Sequence, residues 1–163
     1  MRDIDDATIV LADTPAARCR FYREAFGLPA RVQPELGRIF FVSGSVGAIT
    51  MPAQLGAGVR AHLLDRGVRL GPIVSHPRSK RWTFVIVPDI PDSDMGLFAE
   101  LFRLNVSVAR QGAQIALPSP ADGDLGFRVW AHAPRGAYRP CGMVVVEAIR
   151  VCAPARRRTS TDR

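Results

Sequence analysis

Apolar residues in this chain come in short bursts closed by glycine or proline, and none approaches the roughly 18 that a membrane-spanning helix needs. The 14 glycines and 13 prolines mark turns and caps between these bursts. Such punctuation leaves short strands and short helices, which have to be stacked in layers to bury their apolar sides. The apolar fraction of 47% supplies enough material for one core, because a domain near this size buries roughly 68–70% of its unfolded surface.

Ala7–Leu11 reads as a first strand. Thr14 offers an N-cap, Pro15 suits the first helical turn, and Gly27 stands where a left-handed C-cap belongs, so a helix is predicted over 15–26 with Ala17, Phe21 and Ala25 on one face. Arg38–Ser43 and Val46–Met51 read as a hairpin around Gly44-Ser45. Leu55, Val59, Leu63 and Leu64 mark a second helix ended by Gly67, followed by a strand over Val68–Ser75. Trp82–Val87 is strongly β-prone. Asp92 or Ser93 is placed to cap a third helix that presents Leu97, Phe98, Leu101 and Phe102. Val106–Ala109 and Gln114–Leu117 read as a second hairpin around Gln111-Gly112, residues 118–126 as an irregular loop, and Phe127–Ala131 and Met143–Ile149 as the last strands. The expected fold is mixed α/β (α+β): a largely antiparallel sandwich with about three helices and eight strands. It forms one domain over residues 1–152, and the Arg-rich segment 153–163 reads as a disordered tail.

The acidic opening Met-Arg-Asp-Ile-Asp-Asp lacks a long apolar segment behind it and does not read as a secretory signal. Cys19, Cys141 and Cys152 are few, odd in number and far apart, which argues against a disulfide framework and suits a reducing, cytoplasmic setting. Net charge is +7, of which residues 150–163 carry +4 through five arginines against Asp162. No membrane association is expected. Arg156, Arg157 and Arg158 are candidates for non-specific phosphate contact, and a merely solvated terminus is the alternative.

His62, His76 and His132 lack partners at metal-motif spacing, and there is no phosphate loop, dinucleotide fingerprint or GxSxG. Neither a metal nor a cofactor is therefore expected, and no catalytic residue is assigned. The stretch with most chemical content is His76-Pro77-Arg78-Ser79-Lys80-Arg81, set between two apolar runs. Ser75, His76, Arg78, Lys80 and Arg81 make a compact basic turn able to take phosphate oxygens. The alternative is a hairpin whose charges keep a sheet edge soluble.

Gly71 to Phe84, with Pro77-Arg78-Ser79-Lys80-Arg81 entering the strand at Trp82, resembles the central motif of the N-terminal domains of bifunctional DNA primase/polymerases, within the archaeo-eukaryotic primase superfamily. Val46–Pro52 occupies the place of that family's strand ending in Asp-x-Asp. Ser107–Gly112 with Ile115–Pro120 resembles its third motif, and Trp130 followed by Pro134 also fits. The resemblance covers roughly residues 38–150. It implies a polymerase-like fold with a degenerate site, since Thr50 and Pro52 stand at the first two acidic positions, Trp82 at the histidine and Ser107 at the third acid. Nucleotidyl transfer needs carboxylates to hold divalent ions, so the resemblance implies a domain without catalysis. Such a domain would bind nucleic acid or a nucleotide, or dock on a protein of the replication or transcription machinery.

A second segment, Leu11–Pro29, ending in Phe21-Tyr22-Arg23-Glu24-Ala25-Phe26-Gly27-Leu28-Pro29, is similar to the opening strand and helix of the glyoxalase/dioxygenase superfamily, and Trp82–Asp92 with the helix after it stands where that family's second module would start. That alternative implies two βαβββ modules and small-molecule or metal-dependent chemistry. Glu147, near the last expected strand, is the residue placed to serve as a ligand.

Overall fold

The computed structural model describes residues 14–125 and 127–154. In chain order these form α1 (Pro15–Phe26), β1 (Ala30–Gln33), β2 (Arg38–Val42), β3 (Gly47–Pro52), α2 (Ala53–Asp65), β4 (Ile73–His76) and β5 (Arg81–Ile86). They continue as α3 (Met95–Arg103), β6 (Ser107–Val108), β7 (Gln114–Leu117), a 3-10 turn (Pro120–Leu125), β8 (Val129–His132) and α4 (Gly142–Cys152). The strand expected at Ala7–Leu11 and the arginine tail from residue 155 lie outside the described residues.

The strands build two antiparallel sheets, three-stranded in the order β1-β2-β7 and five-stranded in the order β6-β3-β5-β4-β8. The protein is an α+β sandwich. Among the described residues no helix is long and apolar enough to cross a membrane.

Period-two alternation sorts the central strands between two apolar clusters. Ile49, Met51, Ile73, Phe84 and Ile86 face the helices, where they meet Val59 and Leu63 of α2, Leu97 and Leu101 of α3, and Val145 and Ile149 of α4. Ala48, Val74 and Val85 face the other way, onto Ile39 and Phe41 of β2, Leu117 of β7, and Cys19, Tyr22 and Phe26 of α1. The larger sheet is thus covered on one face by α2, α3 and α4, and on part of the other by the smaller sheet and α1.

α1 follows its capping signals. The Ala17 N–H donates to Thr14 Oγ1 at 3.2 Å, and Gly27 closes the helix at φ 59°. Its buried stripe, however, is Cys19, Tyr22 and Phe26, while Phe21 and Ala25 pack at its margin. Tyr22 is the reason, since its ring is buried and its hydroxyl donates to the Pro118 carbonyl at 2.7 Å. Burial pushes the Tyr22 phenol up to about 12, with Arg18 opposing.

Both expected hairpins are replaced by a different pairing. β2 and β3 do not pair with each other, and neither do β6 and β7; β2 pairs with β7 and β3 with β6. Each expected hairpin is instead a strand that bends from one sheet into the other, at Ser43–Val46 and at Ala109–Ala113. The two bends hold each other, with Ser43 N–H donating to Ala113 O at 2.8 Å and Gly112 N–H to Ser43 O at 2.9 Å. A glycine between apolar runs permits a bend as readily as a reversal.

Met143–Ile149, expected as a strand, lies within α4. Its buried positions Gly142, Val145, Val146 and Ile149 follow helical spacing, and the Met143 N–H is capped from afar by Asp89 Oδ1 at 2.9 Å. A short Val-rich run does not separate buried strand from buried helix. The third helix starts later than expected, capped by Asp94; Phe102 on it is 83% exposed. The strand expected from Val68 begins only at Ile73, after Pro72, which has no N–H for a ladder.

Candidate nucleic-acid interface

The sheet face that carries Ala48, Val74 and Val85 changes character towards the β4–β5 turn. One step along each strand pair, the apolar residues give way to Thr50 on β3, Thr83 and Arg81 on β5, His76 on β4 and Ser107 on β6. Registers Thr50↔Thr83, Thr50↔Ser107 and His76↔Arg81 set them side by side. Arg128 stands one residue before β8, where Ser75↔Val129 puts it next to His76 across the strands.

A chain of hydrogen bonds crosses three strands. His76 Nε2 and Thr83 Oγ1 are 2.9 Å apart, and Thr83 Oγ1 and Thr50 Oγ1 are also 2.9 Å apart. Arg81 is held in place by its Nη2, which donates to the Asn105 carbonyl at 3.0 Å and the Thr50 carbonyl at 3.2 Å. That leaves Nη1 and Nε for a ligand. Arg128 Nη1 pairs with Asp122 Oδ1 at 3.2 Å, and the buried Asp122 carboxylate also accepts from the Ser119 N–H at 2.9 Å. The Ser119 hydroxyl in turn caps the Ile39 N–H at 2.7 Å.

The β4–β5 turn adds exposed cations to this face. Lys80 adopts φ 54°, its N–H donates to Pro77 O at 3.3 Å, and Ser79 Oγ donates to His76 O at 3.3 Å. Arg78 lies over the Phe127 ring, 3.9 Å from its centroid.

Of the residues expected at the site, His76, Arg78, Lys80 and Arg81 come together. Ser75 does not: it is cross-strand partner to Trp82 and points to the helix side of the sheet. Arg156, Arg157 and Arg158 lie outside the described residues. Trp82 packs under α2, where a Cβ on Gly56 would meet its ring at 3.0 Å. It is therefore on the face opposite Thr50 and Ser107; the β5 residues that share their face are Arg81 and Thr83. Thr83, Arg128, Phe127 and Asp122 were not singled out from the sequence. Counting alternate residues along β5 and back from Trp130 would have found Thr83 and Arg128, whereas Asp122 and Phe127 come from an irregular segment with no period to count.

Burial holds the His76 imidazole below its ordinary range, and Arg128 and Arg81 push the same way against a pull from Asp122. The folded chain then takes up this proton less readily than the unfolded one. The stabilisation is complete above about pH 6.5 and is lost as pH falls through the folded value. His76→Gln is expected to flatten the decline in melting temperature on acidification below about pH 6.5; a variant that declines as steeply as wild type would assign the effect to other groups.

Among the described residues no three of His, Cys, Asp and Glu converge as metal ligands do. Glu147 lies on α4 instead of a strand, and its carboxylate accepts from Arg150 at 2.9 Å, as Glu100 does at 3.0 Å. What this face offers is hydrogen-bond donors and positive charge. No family model, curated protein or solved structure matches the chain.

Proposed function

We propose that this chain is a primase/polymerase-like domain that has kept a nucleic-acid-binding or nucleotide-binding face without nucleotidyl transfer, and that it works in the cytoplasm. One observation carries the proposal. Where the resemblance puts metal-gripping acids, on β3 and β6, Thr50 and Ser107 stand side by side, and the strands beside them contribute Arg81, His76 and Arg128. A guanidinium can take phosphate oxygens directly, in a bidentate fork, with no ion between. Hydroxyls and cations cannot gather magnesium, so the same substitutions that favour binding argue against transfer. The glyoxalase-like alternative receives less support, because Phe21–Pro29 is accounted for by core packing and the Gly27 cap, and because among the described residues both sheets mix strands from the two halves of the chain, β2 beside β7 and β3 between β5 and β6. Docking on a replication or transcription protein is compatible with the same face.

The test is a titration of labelled single-stranded oligonucleotide at several salt concentrations. Wild type is expected to bind with a salt slope of about 0.7 per phosphate neutralised, and the triple variant Arg78→Ala, Lys80→Ala, Arg81→Ala to lose about two units of that slope with at least about tenfold in affinity. A double variant that keeps Arg81 separates charge loss from loss of its bonds to the Thr50 and Asn105 carbonyls. Absence of a salt-dependent signal in wild type overturns the binding reading, and incorporation of labelled nucleotide overturns the claim of inactivity.

A further inference from the structure

We infer that the Arg78–Phe127 stack is a landing platform for an unpaired base, so that the ligand of this face is a single strand in preference to a duplex; the inference rests on the phosphate-binding reading above. Three observations converge on it. Arg78 is exposed and sits in a turn pinned at both ends, by Lys80 N–H on Pro77 O and Ser79 Oγ on His76 O. Its guanidinium carbon lies over the Phe127 ring, 3.9 Å from the centroid, and the Arg78 side chain is otherwise exposed to solvent. Phe127 is followed directly by Arg128, whose guanidinium joins the cationic row with His76 and Arg81.

A planar guanidinium already stacked on one side is prepared to stack a nucleobase on the other. Behind it, Arg128 and Arg81 stand two strands apart, about 10 Å by the usual strand spacing. Backbone positions that far apart can serve successive phosphates of a strand whose first base lies on Arg78. A duplex keeps its bases paired and stacked, so it can offer this face only its backbone. Inorganic polyphosphate likewise has nothing to place on the platform.

The experiment compares three probes at one salt concentration: labelled oligothymidine, a blunt duplex with the same number of phosphates, and tripolyphosphate as competitor. Arg78→Lys keeps the charge and removes the plane. It is expected to weaken the single strand about tenfold while leaving the duplex and tripolyphosphate where they were. Phe127→Leu should weaken the single strand in the same selective way, with its melting curve checked beside wild type. An Arg78→Lys protein that binds the single strand like wild type, or a wild type that binds duplex as tightly as single strand, overturns the platform while leaving the phosphate face intact. No salt-dependent binding of any of the three probes overturns the underlying reading, and the platform with it.

Discussion

Replacing Gly71 with alanine is expected to lower the melting temperature by roughly 10 °C, corresponding to about 3 kcal/mol in a chain of this size. A Cβ at this position would come 2.5 Å from Pro140 Cδ and 3.2 Å from the Arg139 Cα. Neither atom is the loose end of a side chain, so the backbone at 139–140 has to move. That segment anchors two elements at once. Arg139 donates to the Phe26 and Gly27 carbonyls at the C-terminus of α1, and burial lowers its affinity for the proton. Pro140 O accepts from Val87 N–H at 2.9 Å, just where α4 begins. Displacing it loosens both the helix that covers one face of the large sheet and a helix that covers the other. Gly44→Ala is the control: nothing lies within 4 Å of its Cβ position, and a change within about 0.5 kcal/mol is expected. Equal melting temperatures for the Gly71 variant and wild type would mean that the two segments are not in contact.

Asp122→Ala should destabilise the protein by about 3 kcal/mol and yet tighten its hold on polyanions a few-fold. The carboxylate is buried, bonded to the Ser119 N–H and paired with Arg128. Removing it strands a buried backbone donor and an arginine whose side chain is only 22% exposed, and breaking such pairs is costly because the remaining charge keeps little solvation. Arg128 can turn partly towards water, which places the expected cost at the low end of the range for buried pairs. The same loss leaves the Arg81, His76 and Arg128 row with one negative charge fewer, and an incoming phosphate then meets an uncompensated cation. Thermal denaturation and the salt titration measure the two effects on one sample. Lower stability together with weaker binding would show that Arg128 needs Asp122 to stay on the face, and would remove it from the proposed grip.

Much of the local structure was legible because local rules govern it. Thr14, Pro15 and Gly27 bracket α1 through a side-chain acceptor, a preset φ and a permitted positive φ, none of which depends on a distant residue. The basic turn was legible for the same reason, as a polar island between two apolar runs. The partners were not. Arg38–Val42 and Gly47–Pro52 carry the composition of a hairpin, and what separates them is a hydrogen-bonded crossing with Ala109–Ala113, nearly seventy positions further on. The helix α4 owes its N-terminus to Asp89, which no count along residues 141–152 can reveal.

The amino-acid order by itself determined the fold class, the position of α1 and α2 and the cationic turn, since each depends on residue type or near-neighbour spacing. Only the tertiary structure decided which strands pair, which face Ser75 and Trp82 take, and that Thr50, Thr83, His76, Arg81 and Arg128 meet on one surface. A strand presents every second residue to each side, so a site on a sheet exists only once pairing and register are fixed, and these are set by contacts far apart in the chain.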